Sequence, residues 1–98
     1  MLIPEKSLKR ILWLYLSGTR GGIVRLKILL ILKKTPANIN QLAKNLSLDY
    51  TTIMYHMRIL EKNGFILLEK RKYGSLYSLT PLLEKNKGIL EEMEKNIG

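Results

Sequence analysis

The stretch NINQLAKNLSLDYTTIMYHMRILEKNGFI, residues 38–66, decides the fold. It opens on a helix-start signal. Asn38 is placed to accept from the backbone three residues on, and Gln41 to reach back to the backbone of Asn38. A short helix then runs to about Leu46, with Ile39, Leu42, Ala43 and Leu46 at core spacing. "SLD" makes a tight turn, Asp49 caps a longer helix over 50–63, and Asn63-Gly64 closes it where glycine is favoured. Short helix, three-residue turn and longer helix are the parts of a helix-turn-helix.

The second of these helices carries the functional expectation. At about 100° per residue, Ile53, Met57 and Leu60 fall on one stripe and predict the buried side. Thr51, Tyr55, Arg58 and Lys62 fall together on the opposite side. An ordinary solvated face would favour Glu, Lys and Gln. This one offers a hydroxyl, a phenol, a guanidinium and an ammonium, with Met54 at its edge and no acid in the stripe. Such groups hydrogen-bond or pack against base edges, or pair with phosphates, as a helix in the major groove must. Arg58 suits either a bidentate guanine contact or a phosphate. Tyr50 and Thr51, beside the helix N-terminus, suit phosphate oxygens. Lys62 reads as a solvated or backbone-contacting charge. The rival reading is a solvated face without a ligand.

Beyond Gly64 the pattern changes to FILLEKRKYGSLYSLT, two runs of strand propensity over 65–71 and 75–80 joined by a turn at 72–74. Lys70, Arg71 and Lys72 cluster beside Tyr73 at the tip, which suits the phosphate backbone or an adjacent minor groove. The same charges also protect an edge strand from aggregation. Alternation puts Tyr77 and Leu79 on the core side. Asn40, Gln41 and Lys44, on the supporting helix, are further candidates for phosphate contacts.

Working outward, residues 4–17 predict a helix opened by Pro4 and ended by Gly18, with Leu8, Ile11, Leu12, Tyr15 and Leu16 at helical spacing. Trp13 and Leu14 widen its apolar surface beyond what one core needs. TRGGIVRLKILLILKKT predicts a second helix, with Thr19 as a candidate cap. Ile23, Leu26 and Leu30 are its expected buried side, and Arg20, Lys27 and Lys34 its solvated face. The Gly21-Gly22 pair costs helix stability but permits close packing on another backbone. It lacks the strand and third glycine of a phosphate loop. Pro81 opens one last helix over 82–96, where Leu82 (or Leu83), Asn86, Ile89 or Leu90, Met93 and Ile97 recur at near-heptad spacing.

These parts, mainly α with a small β-hairpin wing, make a winged helix-turn-helix with extra N- and C-terminal helices. NINQLAKNLSLDYTTIMYHMRILEKNGFI with KYGSLYSLT resembles the ArsR-type winged-helix transcriptional regulators, in a form similar to archaeal sequences. GTRGGIVRLKILLIL resembles the helix that precedes the motif in that family. The resemblance covers residues 18–80, about two thirds of the chain. It implies double-stranded DNA as partner and pairing of two copies through the first and last helices. That pairing would be carried by Leu8, Ile11, Leu12, Trp13, Tyr15 and Leu16 of the first helix, and by Leu82, Ile89, Leu90, Met93 and Ile97 of the last. The expected organisation is one domain over 1–98: a dimerisation helix (4–17), the winged core (18–80) and a second dimerisation helix (81–98).

Composition sets the outer bounds. The chain has 98 residues, 17 Lys+Arg against 8 Asp+Glu, a formal charge of +9 and no cysteine. Residues 1–64 hold 11 of the basic groups and 3 of the acidic ones, whereas residues 81–98 hold 3 and 4. A basic body with an acidic tail points to a polyanion partner for the body. The lone His56 falls on the shoulder of the buried stripe and predicts a half-covered ring bonded to local backbone or a side chain. Without another His or any Cys, metal binding lacks ligands, and metal responsiveness does not carry over from metal-sensing family members. No nucleophile or Gly-rich pocket suggests an enzyme, no cofactor is expected, and pH sensing finds no support in the sequence. The apolar runs 11–16 and 28–32 fall far short of the roughly 20 residues a bilayer needs, and no signal-peptide pattern appears. The expectation is a cytoplasmic homodimeric regulator without membrane or metal partners. Its rivals are a protein-binding winged-helix assembly module and a basic, chromatin-like architectural protein.

Overall fold

The computed structural model describes residues 5–17, 21–72 and 74–97, with backbone alone at Glu5 and Ile97. Pro4, Gly18, Thr19, Arg20, Tyr73 and the side chain of Ile97, all singled out above, lie outside the described residues. The element order is α1 (Glu5–Leu16), α2 (Gly22–Lys34), α3 (Ile39–Leu46), α4 (Tyr50–Lys62), β1 (Ile66–Arg71), β2 (Gly74–Leu79), α5 (Pro81–Lys85) and α6 (Lys87–Ile97). This is the expected winged helix-turn-helix, six helices and one antiparallel hairpin, with one difference at the C-terminus.

The middle helix α2 organises the rest, packing against α1, α4, α6 and β2. A helix with neighbours on several sides must be apolar over most of its circumference. Accordingly Leu26, Ile28, Leu29 and Leu32 are all buried, and Leu30 is half-buried. The expected stripe is corrected at Ile23, which is 48% exposed. The stripe that is buried runs through Gly22, Arg25, Leu29 and Leu32. Gly22 explains the shift. A Cβ there would stand 2.8 Å from the backbone carbon of Leu16, so only glycine lets the start of α2 meet the end of α1.

The helix-turn-helix is fixed by local bonds. The Asn38 side chain accepts from the Gln41 N–H and the Gln41 side chain from the Asn38 N–H, both at 2.8 Å. Ser47 takes the left-handed conformation (φ 56°) that ends α3. The Asp49 carboxylate accepts from the Thr52 N–H at 2.7 Å and starts α4. Gly64, at φ 75°, supplies the turn out of α4 into β1.

In the wing, Ile66 pairs with Leu79, Leu68 with Tyr77, and Arg71 with Gly74. Gly74 therefore begins β2 rather than lying in the turn, and its φ of 117° suits a residue without a Cβ. A bridge from Ala37 to Tyr77, with N···O distances of 3.1 and 2.8 Å, ties the start of α3 to the wing. Thr80 closes the base of the hairpin: its hydroxyl donates to the Gly64 carbonyl at 2.7 Å while capping α5.

The single last helix expected over 82–96 is instead two, broken at Asn86. The Asn86 side chain donates to the Leu82 carbonyl at 2.8 Å, and its own carbonyl accepts from the Ile89 N–H at 3.0 Å. The break re-aims the chain. Leu83 is buried where α5 packs on β2, whereas Ile89, Leu90 and Met93 are buried where α6 packs on α2. Leu8, Leu12 and Leu16 of α1 enter the same core cluster.

Candidate nucleic-acid interface

The buried side of α4 is Ile53, Met57 and Leu60, with His56 beside them. Its other side leaves Thr51, Arg58 and Lys62 exposed, Tyr50 at 48% and Tyr55 at 60% exposure, and Met54 half-buried. The residues of the expected stripe are thus open, but they do not all face one place. Tyr50 and Met54 join Asn38, Ile39, Asn40, Leu68, Ser75 and Tyr77 around a groove of about 320 Å³, between the N-termini of α3 and α4 and the wing. Tyr55 and Lys62 line a second groove of about 480 Å³ with Leu14, Tyr15, Arg25, Ile59 and Asn63. Thr51, Arg58, Gln41 and Lys44 are exposed and line neither groove.

Electrostatics sharpen this surface. Bonding to the Thr52 backbone N–H holds the Asp49 carboxyl below its ordinary value, so the cap stays ionised. Burial, with the Glu61 carboxylate and the Tyr50 phenol, pushes the Tyr77 phenol up, so it remains a neutral donor beside the first groove. At the wing tip Lys70, Arg71 and Lys72 are exposed. Arg71 pairs with Glu69 at 3.2 Å, and the Ser78 hydroxyl also donates to Glu69 at 3.3 Å. An exposed pair of this kind contributes about 1 kcal/mol or less and leaves the tip basic.

Two residues stand out that the sequence did not single out. Leu68 is 39% exposed, on the same face as its partner Tyr77 and toward the first groove. Strand alternation carried that signal. Arg25 is the larger surprise, buried with only 7% exposure. Its Nε donates to the Tyr15 carbonyl at 2.8 Å, and its Nη1 lies 3.1 Å from His56 Nδ1. The signal was its place seven residues before Leu32 on the buried stripe of α2. His56 itself is corrected from half covered to buried, at 6% exposure, and of its two expected kinds of partner it takes a side chain, that of Arg25 on α2. Burial first, then the Arg25 charge, push the imidazole below its ordinary value, so it is neutral at pH 7. Among the described residues no three His, Cys, Asp or Glu side chains converge as metal ligands. No described helix is long and apolar enough to cross a membrane.

The residues expected at a dimer contact divide in two. Leu8, Leu12, Leu16, Ile89, Leu90 and Met93 are buried by this chain's own core, and Ile11, Tyr15 and Leu82 are partly buried against it. What α1 leaves open is Trp13, at 38% exposure, and its neighbour Leu14, at 65%.

Comparison with known proteins agrees with the geometry. Residues 24–66 match the model of the family described as bacterial regulatory protein, arsR family. The fold is similar to that of HlyU from Vibrio cholerae, with a TM-score of 0.70 and 20% identity over 95% of this chain and 96% of that one. A transcriptional regulator homologue from Pyrococcus horikoshii has a TM-score of 0.63 and 28% identity, covering 79% of this chain and 83% of that one. BldR from Sulfolobus solfataricus has a TM-score of 0.67 and 16% identity, covering 92% and 66%. A search of curated protein sequences gives no match. The helix-turn-helix segment of this chain is thus similar to that of the arsR family, and its fold is similar to that of HlyU.

Proposed function

We propose that this protein is a homodimeric, sequence-specific regulator that binds double-stranded DNA, with α4 in the major groove and the wing on the backbone or the adjacent minor groove. The observation that carries the reading is the open face of α4. Thr51, Tyr55 and Arg58 project from a helix whose opposite side is fixed in the core. Arg58 is the base reader, and Tyr50 and Thr51 engage phosphates at the helix N-terminus. Lys70, Arg71, Lys72 and Tyr73 follow the backbone, with Asn40, Gln41 and Lys44 as supporting contacts. Two copies pair through the outer face of α1 around Trp13 and Leu14, which presents two reading helices to half-sites about 34 Å apart or a multiple of that.

Salt titration tests the reading. Log affinity for duplex DNA is expected to fall with log salt at a slope of about −0.9 per neutralised phosphate. Absence of any binding to mixed-sequence duplex at about 50 mM salt overturns it. Competition between a selected site and bulk DNA separates specific regulation from an architectural role, for which the affinity ratio is near one.

A further inference from the structure

We propose that Arg25 and His56 are positioning residues for α4, and that they hold it only while His56 is neutral, so that acidification frees the reading helix and weakens DNA binding. The inference rests on α4 being the DNA reader.

The geometry is that of a three-way tie. One guanidinium on α2 donates to the carbonyl of Tyr15 at the end of α1 and reaches the imidazole of α4, at 2.8 and 3.1 Å. Among the described residues these two are the buried polar or charged side chains of the core. Arginine has no acceptor, so His56 Nδ1 must accept and the ring proton sits on Nε2. The pair is closed over by the turn into α2. A Cβ at Gly21 would lie 2.7 Å from both Arg25 Nη1 and His56 Cε1. The Tyr55 ring, on the open face of α4, meets the His56 ring edge-on with centroids 5.2 Å apart. A shift of the histidine is therefore felt by a residue of the reading surface.

Protonation reverses the bond. Nδ1 would become a second donor facing a donor, and two cations would share a site removed from water. Arg25 is the one charged group among the described residues that acts on the ring. α1 contributes the Tyr15 carbonyl, which accepts from Arg25, and Gly21 lies against both side chains. The sign follows. The folded value lies below the ordinary value of about 6.5, so the contribution is fully present above that pH and is lost as pH falls through the folded value. His56 is the only histidine in the chain, so no other histidine contributes to a change of affinity between pH 8 and 5.

The test follows the affinity of the full chain for a selected duplex from pH 8 to 5 at constant ionic strength. Circular dichroism monitors the fold, and NMR follows the His56 ring. The wild type is expected to lose affinity on acidification, by up to about tenfold per pH unit for each protomer that takes up a proton. His56→Asn keeps an acceptor near the Nδ1 position but does not titrate. It is expected to bind like the wild type at pH 8 and to show a flat profile. A flat wild-type profile, or a His56→Asn profile as steep as the wild type's, overturns the proposal. The ring titration needs no DNA and stands even where the variant fails to fold. Proton uptake below the ordinary histidine value supports the seat, and uptake at or above it overturns the seat. A chain that binds no duplex at any pH overturns the function instead, whereas pH-independent binding overturns the positioning role and leaves the function standing.

Discussion

The reading helix and the wing are held in opposite ways. α4 is fixed along its length by Ile53, Met57 and Leu60 in the core, by the Asp49 cap at one end and by the Arg25–His56 bond at its shoulder. The wing is held in its lower half, by packing of β2 on α2 and α5, by the Ala37–Tyr77 bridge and by the Thr80 hydroxyl, and its tip carries exposed charge. Discrimination between bases needs side chains held to fractions of an ångström, whereas attraction to a phosphate chain tolerates a loose lysine. The difference supports the proposed division, with sequence reading by α4 and general affinity from the wing.

The comparison breaks most visibly in stability. Leu60 has 0% exposure, so Leu60→Ala is expected to cost about 2–5 kcal/mol in urea denaturation. Leu68→Ala in the wing, at a 39% exposed position, should stay within about 1 kcal/mol. Equal costs would mean that the wing is as firmly packed as the helix. In binding, Arg58→Ala should reduce discrimination between the selected site and bulk DNA by about 1–3 kcal/mol in competition assays. Lys72→Ala should weaken all sequences alike and reduce the salt slope by about 1. The opposite pattern would exchange the roles of helix and wing. The smallest effect concerns the cap. Asp49 is held below its ordinary value, so its contribution is present above about pH 3.9 and is lost as pH falls through the folded value. Asp49→Asn keeps an acceptor and should remove that acid-dependent part of the thermal stability.

What the sequence revealed follows the range of the interactions. Asn38, Gln41, Asp49 and Gly64 act on backbone within a few residues, so the helix-turn-helix and its limits were readable. The exposed positions of α4 followed from its period. The buried side of α2 held at Leu26 and Leu30 but failed at Ile23, because several neighbours surround the helix and a single-stripe search fits a helix with one. Arg25 was missed for a similar reason: its place seven residues before Leu32 pointed to the core, but a buried guanidinium needs partners, and His56 lies 31 residues away. The break at Asn86 depends on α5 and α6 packing against different elements, which no local pattern records.

The central claim is that α4 reads sequence in a symmetric pair. Selection from a random pool of duplexes, with the mass of the complex measured alongside, tests it most directly. An inverted repeat with half-site centres about 10 bp apart or a multiple of that, bound by two copies of the chain, is expected to be enriched. A pool that enriches no motif, or a complex holding one copy, would contradict it.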